Sequence, residues 1–401
     1  MRISTSTLFS ESVTAMQQMQ NNLARTNLQI ATGQKMLSPA DDPAAAARAI
    51  ELNQSDASNT QFASNRNMAA NNLSLTEGVL SGVTSLLQEL KSLSVEAGGV
   101  MTNATSMKGI STTLRGRMEE LLGLANSTDG VGNYLFSGGQ GKVKPFATTA
   151  AGTVYQGDDV QRLVQVAPSR QMAATDSGAD VFMRIRNGNG TFQTSAGAGN
   201  TGTGGISQGQ VLTSPFNGNG YRVTFTSATT FDVLNVTSGT PVSTGNAYVS
   251  GQAVTFDGIQ VEVSGAPATG DTFDVQPSVN QSIFATLDKF IAAADAPPVA
   301  GDALSIAKFQ QGLREVMGAL DQALNNVLST RATVGGRLRE LDSLQATGEE
   351  LGLQYKNSLS KIQDTDYIQA VTDLNKQQLA LQASQQSFAR VSQLSLFDFL
   401  R

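Results

Sequence analysis

The sequence predicts an α+β protein: an elongated helical bundle formed by both chain ends, with an all-β domain inserted in the middle. Three observations predict it. Apolar residues recur every seven positions at each end of the chain, as on a helix that buries one narrow stripe. Of the 39 glycines, 22 fall between Ser137 and Asn280. That same stretch alternates apolar and polar residues, as half-buried strands do.

In the first block the recurring residues are Phe9, Met16, Leu23 and Ile30, with Val13 and Met19 beside them. In the last block they are Tyr367, Leu374, Leu381 and Phe388, with Val371 and Val391 alongside. Their neighbours are mostly Gln, Asn, Ser and Thr, so each stripe is too narrow to be buried without a partner helix. Two pairings satisfy it: an antiparallel bundle within one molecule, or bundling with copies and relatives. The last segment, free of glycine after Gly352, has room for a helix of about 45 residues, roughly 65 to 70 Å long at 1.5 Å per residue.

Between the ends, Pro43 opens a second long helix with Ile50, Leu73, Val79, Leu80, Val83, Leu86, Leu87 and Leu90 on its apolar side, closed by Gly98–Gly99. A shorter helix runs from Met107 to Asn126. Beyond the middle block, "NQSIFATLDKFIAAAD" and "ALSIAKFQQGLREVMGALDQALNNVLSTRATVG" are helical, with breaks at Pro297–Pro298 and Gly335–Gly336. In the middle, "YRVTFTS", "TFDVLNV", "QAVTFDGIQVEVSG" and "DTFDVQP" are strands of a small sandwich or barrel, and "FDGIQ" carries the Asp-Gly pair of a tight hairpin. "TSAGAGNTGTGGIS" is expected to be a flexible connector. The division is therefore 1–40 and 360–401 for terminal coiled-coil helices, 41–139 and 281–359 for a helical rod, and 140–280 for the β insert, with a candidate subdivision near 195–207.

The composition removes most chemistry. The chain has no His, no Cys and no Trp. That eliminates Cys and His nucleophiles, Ser-His-Asp arrangements, and zinc or haem ligation through those side chains. Carboxylate chemistry, a Ser-Lys arrangement or calcium on oxygen ligands remain. A net charge of −6 with no basic cluster argues against nucleic acid. No apolar run approaches the roughly 18 residues of a membrane-spanning helix. The opening "MRISTSTLFSESVTAMQQMQ" lacks the continuous apolar segment and cleavage site of a secretory signal.

The sharpest chemical candidate is Asp41–Asp42 in "LSPADDPAAAARAI". Asp42 directly before Pro43 and an alanine run has the pattern of a helix N-cap with Pro at the first helical position. Both charges suit the positive end of a helix, and adjacent residues seldom converge on one cleft. Asp42 and Pro43 are accordingly read as a cap, with no catalytic pair. Asp158–Asp159 in "YQGDDV" and Asp271 and Asp274 in "DTFDV" lack the ligand spacing of a calcium loop and are read as turn residues. "GNTGTGG" lacks the Lys of a phosphate loop, and Lys35 and Lys361 have no Ser at a catalytic spacing. No catalytic, cofactor-binding or metal-binding residues emerge, and no cofactor is implied.

At this point the residues resemble a known family. "QIATGQKMLSPADDPAAAARAI" and "DTDYIQAVTDLNKQQLALQASQQSFARVSQLSLFDFL" are similar to the N- and C-terminal signatures of the flagellin superfamily. Within it, "GNYLFSGGQGKVKPF" and "YQGDDVQRLVQVAPSRQMAATDSGADVF" resemble the hook-associated proteins of the hook–filament junction, and the opening "MRIST" and terminal "SLFDFL" fit those better than filament flagellin. The glycine-rich stretch from about 195 to 275 carries no such signature.

The resemblance implies a flagellin-like bundle and a structural subunit exported unfolded through the flagellar type III apparatus without a cleaved signal peptide. It implies an extracellular place in the bacterial flagellum and terminal helices that order on assembly. The implied partners are further copies in a ring, the first hook–filament junction protein, flagellin and an export chaperone, with no nucleic acid and no membrane. Filament flagellin and an adhesin-like secreted protein are the structural alternatives; a carboxylate-dependent hydrolase would need two acids converging in one pocket.

Overall fold

In a computed structural model, the protein is described over residues 5–150, 152–213 and 215–393. Residues 1–4 of the opening motif and all of the terminal "SLFDFL" lie outside the described residues, as does the side chain of Val391. The chain forms two compact units. One joins the residues up to 64 with those from 343 on; the other is Asn65–Asp342.

Six helices carry both units: α1 (Thr5–Thr32), α2 (Pro43–Val100), α3 (Ala104–Ala125), α4 (Ile283–Asp295), α5 (Ala303–Gln363) and α6 (Tyr367–Gln393). Five have a short polar side chain at the start, bonded to free amides of the first turn. Asp42 does this for α2, Asn103 for α3, Ser282 for α4, Asp302 for α5 and Asp366 for α6. None of the helices among the described residues is long and apolar enough to cross a membrane.

The helical core of the larger unit has a sevenfold rhythm. Leu73, Leu80 and Leu87 of α2 are fully buried, and so are Leu320, Val327 and Val334 of α5, with Leu313 and Leu341 nearly so. Such spacing keeps one face of each helix inward over many turns. The Arg331 guanidinium of α5 reaches Glu77 of α2 at 2.6 Å. Gly98 lies where a side chain would press on Leu313, and Gly82 where one would touch Leu124 of α3.

Three helix expectations differ from the structure. α5 runs unbroken through Gly335–Gly336, because two glycines cost only about 1 kcal/mol each and buried Val334 and Leu341 hold the segment in place. The long C-terminal helix is interrupted at 364–366, where Asp366 caps a new start. Ile50 is 70% exposed: α2 buries Ala46 and Ala49 there, and Ile50 turns off that face.

The chain leaves α3 through a loop that folds against β1 (Phe146–Thr149) and β2 (Gly152–Tyr155), an antiparallel hairpin. Phe136, Phe146, Phe182 and Phe284 meet edge-on or tilted, with centroids 5.2 to 6.2 Å apart. The Tyr155 hydroxyl lies 3.0 Å from the Phe136 carbonyl and 2.8 Å from that of Asp158. The hairpin β3 (Leu163–Ala167) and β4 (Arg170–Ala173) docks on helices at both ends. Arg66 of α2 donates to the Val166 carbonyl at 3.0 Å, Arg170 grips Glu340 of α5 with two hydrogen bonds, and Arg337 of α5 holds Asp176 just beyond β4.

A neck follows: β5 (Ile185–Arg186) pairs with the returning β15 (Asn280–Gln281). Between them lies a sandwich. One sheet has the order β11 (Thr240–Ala247), β10 (Thr230–Asn235), β9 (Tyr221–Ser227), β14 (Thr272–Pro277), β6 (Phe192–Ala196), all antiparallel. The other centres on β13 (Ile259–Ser264), flanked by β12 (Ala253–Phe256), β7 (Gly205–Ile206) and β8 (Gln210–Val211). Alternate residues of both, among them Tyr221, Val223, Phe225, Phe273, Ile259 and Val261, form one buried core. Asp257 (φ +43°) and Gly258 (φ +80°) make the tight turn between β12 and β13, the left-handed pair that such a hairpin requires.

The stretch 195–207, expected to be flexible, is stapled. The nearly buried Asp271 carboxylate accepts from the Thr201, Gly202 and Ala268 amides at 2.8 to 3.0 Å. Its glycines serve close approach: a Cβ on Gly202 would stand 2.4 Å from the Ala268 nitrogen, and one on Gly205 2.1 Å from the Arg314 guanidinium. Composition signals loop, but a distant carboxylate decides its order.

The sandwich is clasped to α5 beside a cavity of about 270 Å³. Gln311 Oε1 accepts from the Ile206 amide at 3.1 Å and from Arg314 at 2.7 Å; Gln208 donates to the Arg314 carbonyl, and Gln311 donates to Glu315. Burial pushes the Glu315 carboxyl above the ordinary carboxylate range. The folded chain therefore holds that proton more tightly than the unfolded chain does. The group's contribution to stability is fully present below the ordinary carboxylate range and is lost as pH rises through the raised folded value. Glu315→Gln should remove that decline, so urea midpoints of variant and parent should diverge in the variant's favour from acidic to mildly alkaline pH.

Candidate assembly interface

The smaller unit brings the chain ends together. α1 and α6 run antiparallel: the Phe9 and Phe388 rings lie 5.0 Å apart at one end, and Gly33 faces the Tyr367 hydroxyl at the other. A short backbone strap fixes the register. Lys35 N–H donates to the Gln363 carbonyl at 2.7 Å, and Thr365 N–H donates to Gly33 at 2.9 Å. Thr365 Oγ1 and the Lys35 carbonyl both bond to Gln29, through its backbone oxygen and its side-chain amide. Gly33 takes φ +72° here, and any Cβ would stand 3.1 Å from the Tyr367 hydroxyl, so the turn admits little else.

The eight seam residues all lie on this helix pair. Met16, Leu23, Ile30, Leu374, Leu381 and Phe388 are half-buried, while Phe9 and Tyr367 are each 54% exposed. Among the described residues of the pair, only the small side chains of Thr26 and Ala370 are buried. Two helices cannot close a core; such a seam is completed by further helices. A second set of apolar side chains stands uncovered, with Ile368 83%, Leu379 69% and Leu28 55% exposed. Their spacing on α6 was a readable signal that the sevenfold count passed over.

Asp41 and Asp42 have separate partners. Asp42 Oδ1 accepts from the Ala45 amide at 2.9 Å, with Pro43 as the first residue of α2. Asp41 turns the other way: Oδ2 accepts from the Leu37 and Ser38 amides, and Oδ1 meets Arg25 of α1 at 2.8 Å. One carboxylate starts α2, and the other ties the incoming loop back to α1.

Asp158, Asp159, Asp271 and Asp274 each have partners of their own. Asp158 accepts from the Gly139 and Val160 amides, Asp274 pairs with Arg222 at 2.7 Å, and Asp271 staples its loop. Arg184 beside Asp159 holds that carboxyl below the ordinary range. Lys35 and Lys361 stand on the rim of an open polar cleft with Asp364, Asp366 and Asp373. Among the described residues no group of three His, Cys, Asp or Glu could hold a metal ion.

Comparison with known proteins follows these parts. Residues 3–140 match the family model of the bacterial flagellin N-terminal helical region, and residues 317–400 that of the flagellin C-terminal helical region. Residues 195–277 match the D2-like domain of flagellar hook-associated protein 1, so the stretch without a legible signature does carry a family likeness. Over 401 residues and the full length of both chains, the protein is 27% identical to flagellar hook-associated protein 3 of Salmonella typhimurium. The same-named protein of Escherichia coli is 27% identical over 99% of each chain. FlgL of Xanthomonas campestris shares 32% identity at a TM-score of 0.71, covering 77% of this chain and 99% of that one. The flagellar junction protein FlgL of Legionella pneumophila shares 30% at 0.70, covering 79% and 100%.

Asp42→Ala should cost about 1 kcal/mol through loss of the α2 cap, read as a lowered midpoint in denaturant unfolding followed by helical circular dichroism.

Proposed function

The chain belongs to the flagellar hook-associated protein 3 (FlgL) family, and on that premise we propose that it is a structural subunit of the bacterial flagellum, placed at the junction between hook and filament. The observation that carries this reading is the half-exposed seam of α1 and α6. A helix pair with an unfinished core is a part built for a larger bundle. Copies placed side by side would complete it, and the proposed product is a short ring.

In that reading the ring docks on the first junction protein on the hook side and receives flagellin on the filament side, buffering a flexible hook against a stiff filament. The subunit acts outside the cell and arrives unfolded through the flagellar export apparatus, with a cytoplasmic chaperone beforehand. We place the assembly helices at 1–40 and 360–401, the rod at 41–139 and 281–359, and the insert at 140–280. Full-length alignment with hook-associated protein 3 favours this role over filament flagellin. The reading includes no catalytic role.

Deleting the gene should leave hooks in place while flagellin is shed into the medium, with motility lost. Growth of long filaments from the purified chain alone would overturn the junction role. In limited proteolysis, roughly the first and last 40 residues should be cut readily in dilute monomer and protected after assembly, as for a segment that orders on binding. Leu374→Asp on the seam should abolish assembly and leave the larger unit folded, since a charge on that stripe cannot be buried unpaired.

A further inference from the structure

The chain contains four Asn-Gly bonds, in two copies of the tetrapeptide Asn-Gly-Asn-Gly, at 187–190 and 217–220. This dipeptide is the one most prone to a spontaneous rearrangement. The backbone nitrogen of the glycine attacks the side-chain carbonyl carbon of the asparagine, and glycine's missing side chain leaves the approach open. Folding decides which of the four can react, because attack needs a free glycine amide and a side chain able to swing onto it.

Three are shielded. Asn187 is 7% exposed, its Oδ1 accepts from the Val279 amide at 3.0 Å and from Ser278, and Nδ2 donates to Gln193. Asn189 is held at four points: Oδ1 takes the Thr191 and Phe192 amides, Nδ2 gives to the Gln208 and Gly209 carbonyls. The Gly190 amide is itself engaged with the Asn187 carbonyl. After Asn219, the Gly220 amide donates to Thr237 Oγ1 at 2.8 Å, and Gln276 crowds the glycine at 2.6 Å from a Cβ position.

Asn217 also holds two side-chain bonds, to the Tyr221 hydroxyl and from the Asn219 amide, but it differs in exposure and in the open space around its glycine. It and Gly218 are exposed, and no heavy atom lies within 4 Å of where a Cβ on Gly218 would stand. Among the described residues nothing accepts from the Gly218 amide. Asn217 Oδ1 accepts from the Asn219 amide at 3.0 Å, which draws electron density from the carbon under attack.

We propose that Asn217 is a site of spontaneous covalent modification, converting to a cyclic imide and then to aspartate or isoaspartate. In the first step the Gly218 nitrogen bonds to Asn217 Cγ, the Cγ–Nδ2 bond breaks, and Nδ2 leaves as ammonia with the proton the glycine amide gives up. In the second, water adds to either imide carbonyl and opens the ring; no oxidant or reductant takes part. The local consequence is set by Tyr221. Its buried hydroxyl donates to Asp257 Oδ2 at 2.8 Å and accepts from Asn217 Nδ2. After conversion both flanking groups are acceptors, and one phenolic proton cannot serve both. The bond linking this loop to the β12–β13 turn is lost. The sandwich therefore carries a chemical clock at one end, running at a rate set by pH and temperature.

The test uses the full chain, aged at mildly alkaline pH and then digested with trypsin. Cleavage after Arg186 and Arg222 releases one peptide holding all four bonds, and fragmentation locates the amide-to-acid mass gain. Position 217 should convert several-fold faster than 187, 189 and 219 in the folded chain. In denaturant all four should convert at similar rates. Thr237→Val, which frees the Gly220 amide, should raise conversion at 219 alone. Equal rates across the four in the folded chain, a different leading position, or no rise at 219 in the variant would each overturn the proposal.

Discussion

The backbone strap between residues 33–35 and 363–365 is the contact on which the smaller unit depends. Gln29 and Thr365, bonded through a side-chain hydroxyl, are 336 positions apart in the chain. Closing so long a loop costs entropy, but the cost grows only slowly with length. The hydrogen bonds at the strap set a register, and the seam of α1 and α6 then follows from it. A shift by one residue would rotate each seam side chain by about 100° on its helix and dissolve the stripe. Gly33 is what lets the backbone turn there beneath the Tyr367 ring.

Much of the helical part was legible because helix signals are local. Polar caps, the Asp-Pro head of α2 and the sevenfold apolar count are all written in a few adjacent residues. What was missed depends on residues far away. Gly335–Gly336 looks like a break until the buried α5 face on either side is known. The 195–207 stretch looks loose because its staple, Asp271, lies some seventy residues downstream. The split at 364–366 was hidden because Asp366 resembles any other surface acid until its amide partners are seen.

On the seam the position is similar. Periodicity named residues on α1 and α6, and the structure sets them on one helix pair. Periodicity alone could not give the degree of burial, nor point to Thr26 and Ala370 as the buried residues of the pair. The acid pair shows the same division. Asp42 and its helix start share one tetrapeptide, whereas the role of Asp41 requires Arg25, on another element.

The neck brings the two ends of the insert side by side. The sandwich departs at Arg186 and returns at Asn280, and these two residues pair directly across β5 and β15. Asn187 and Ser278 close the same point with further hydrogen bonds. Everything between hangs from adjacent entry and exit points, and such points tolerate insertion and exchange. The stretch 195–277, which matches a domain of a different hook-associated protein, lies wholly inside those limits. A domain attached in this way can be lengthened, trimmed or exchanged at one point without changing the path of the helices that carry it.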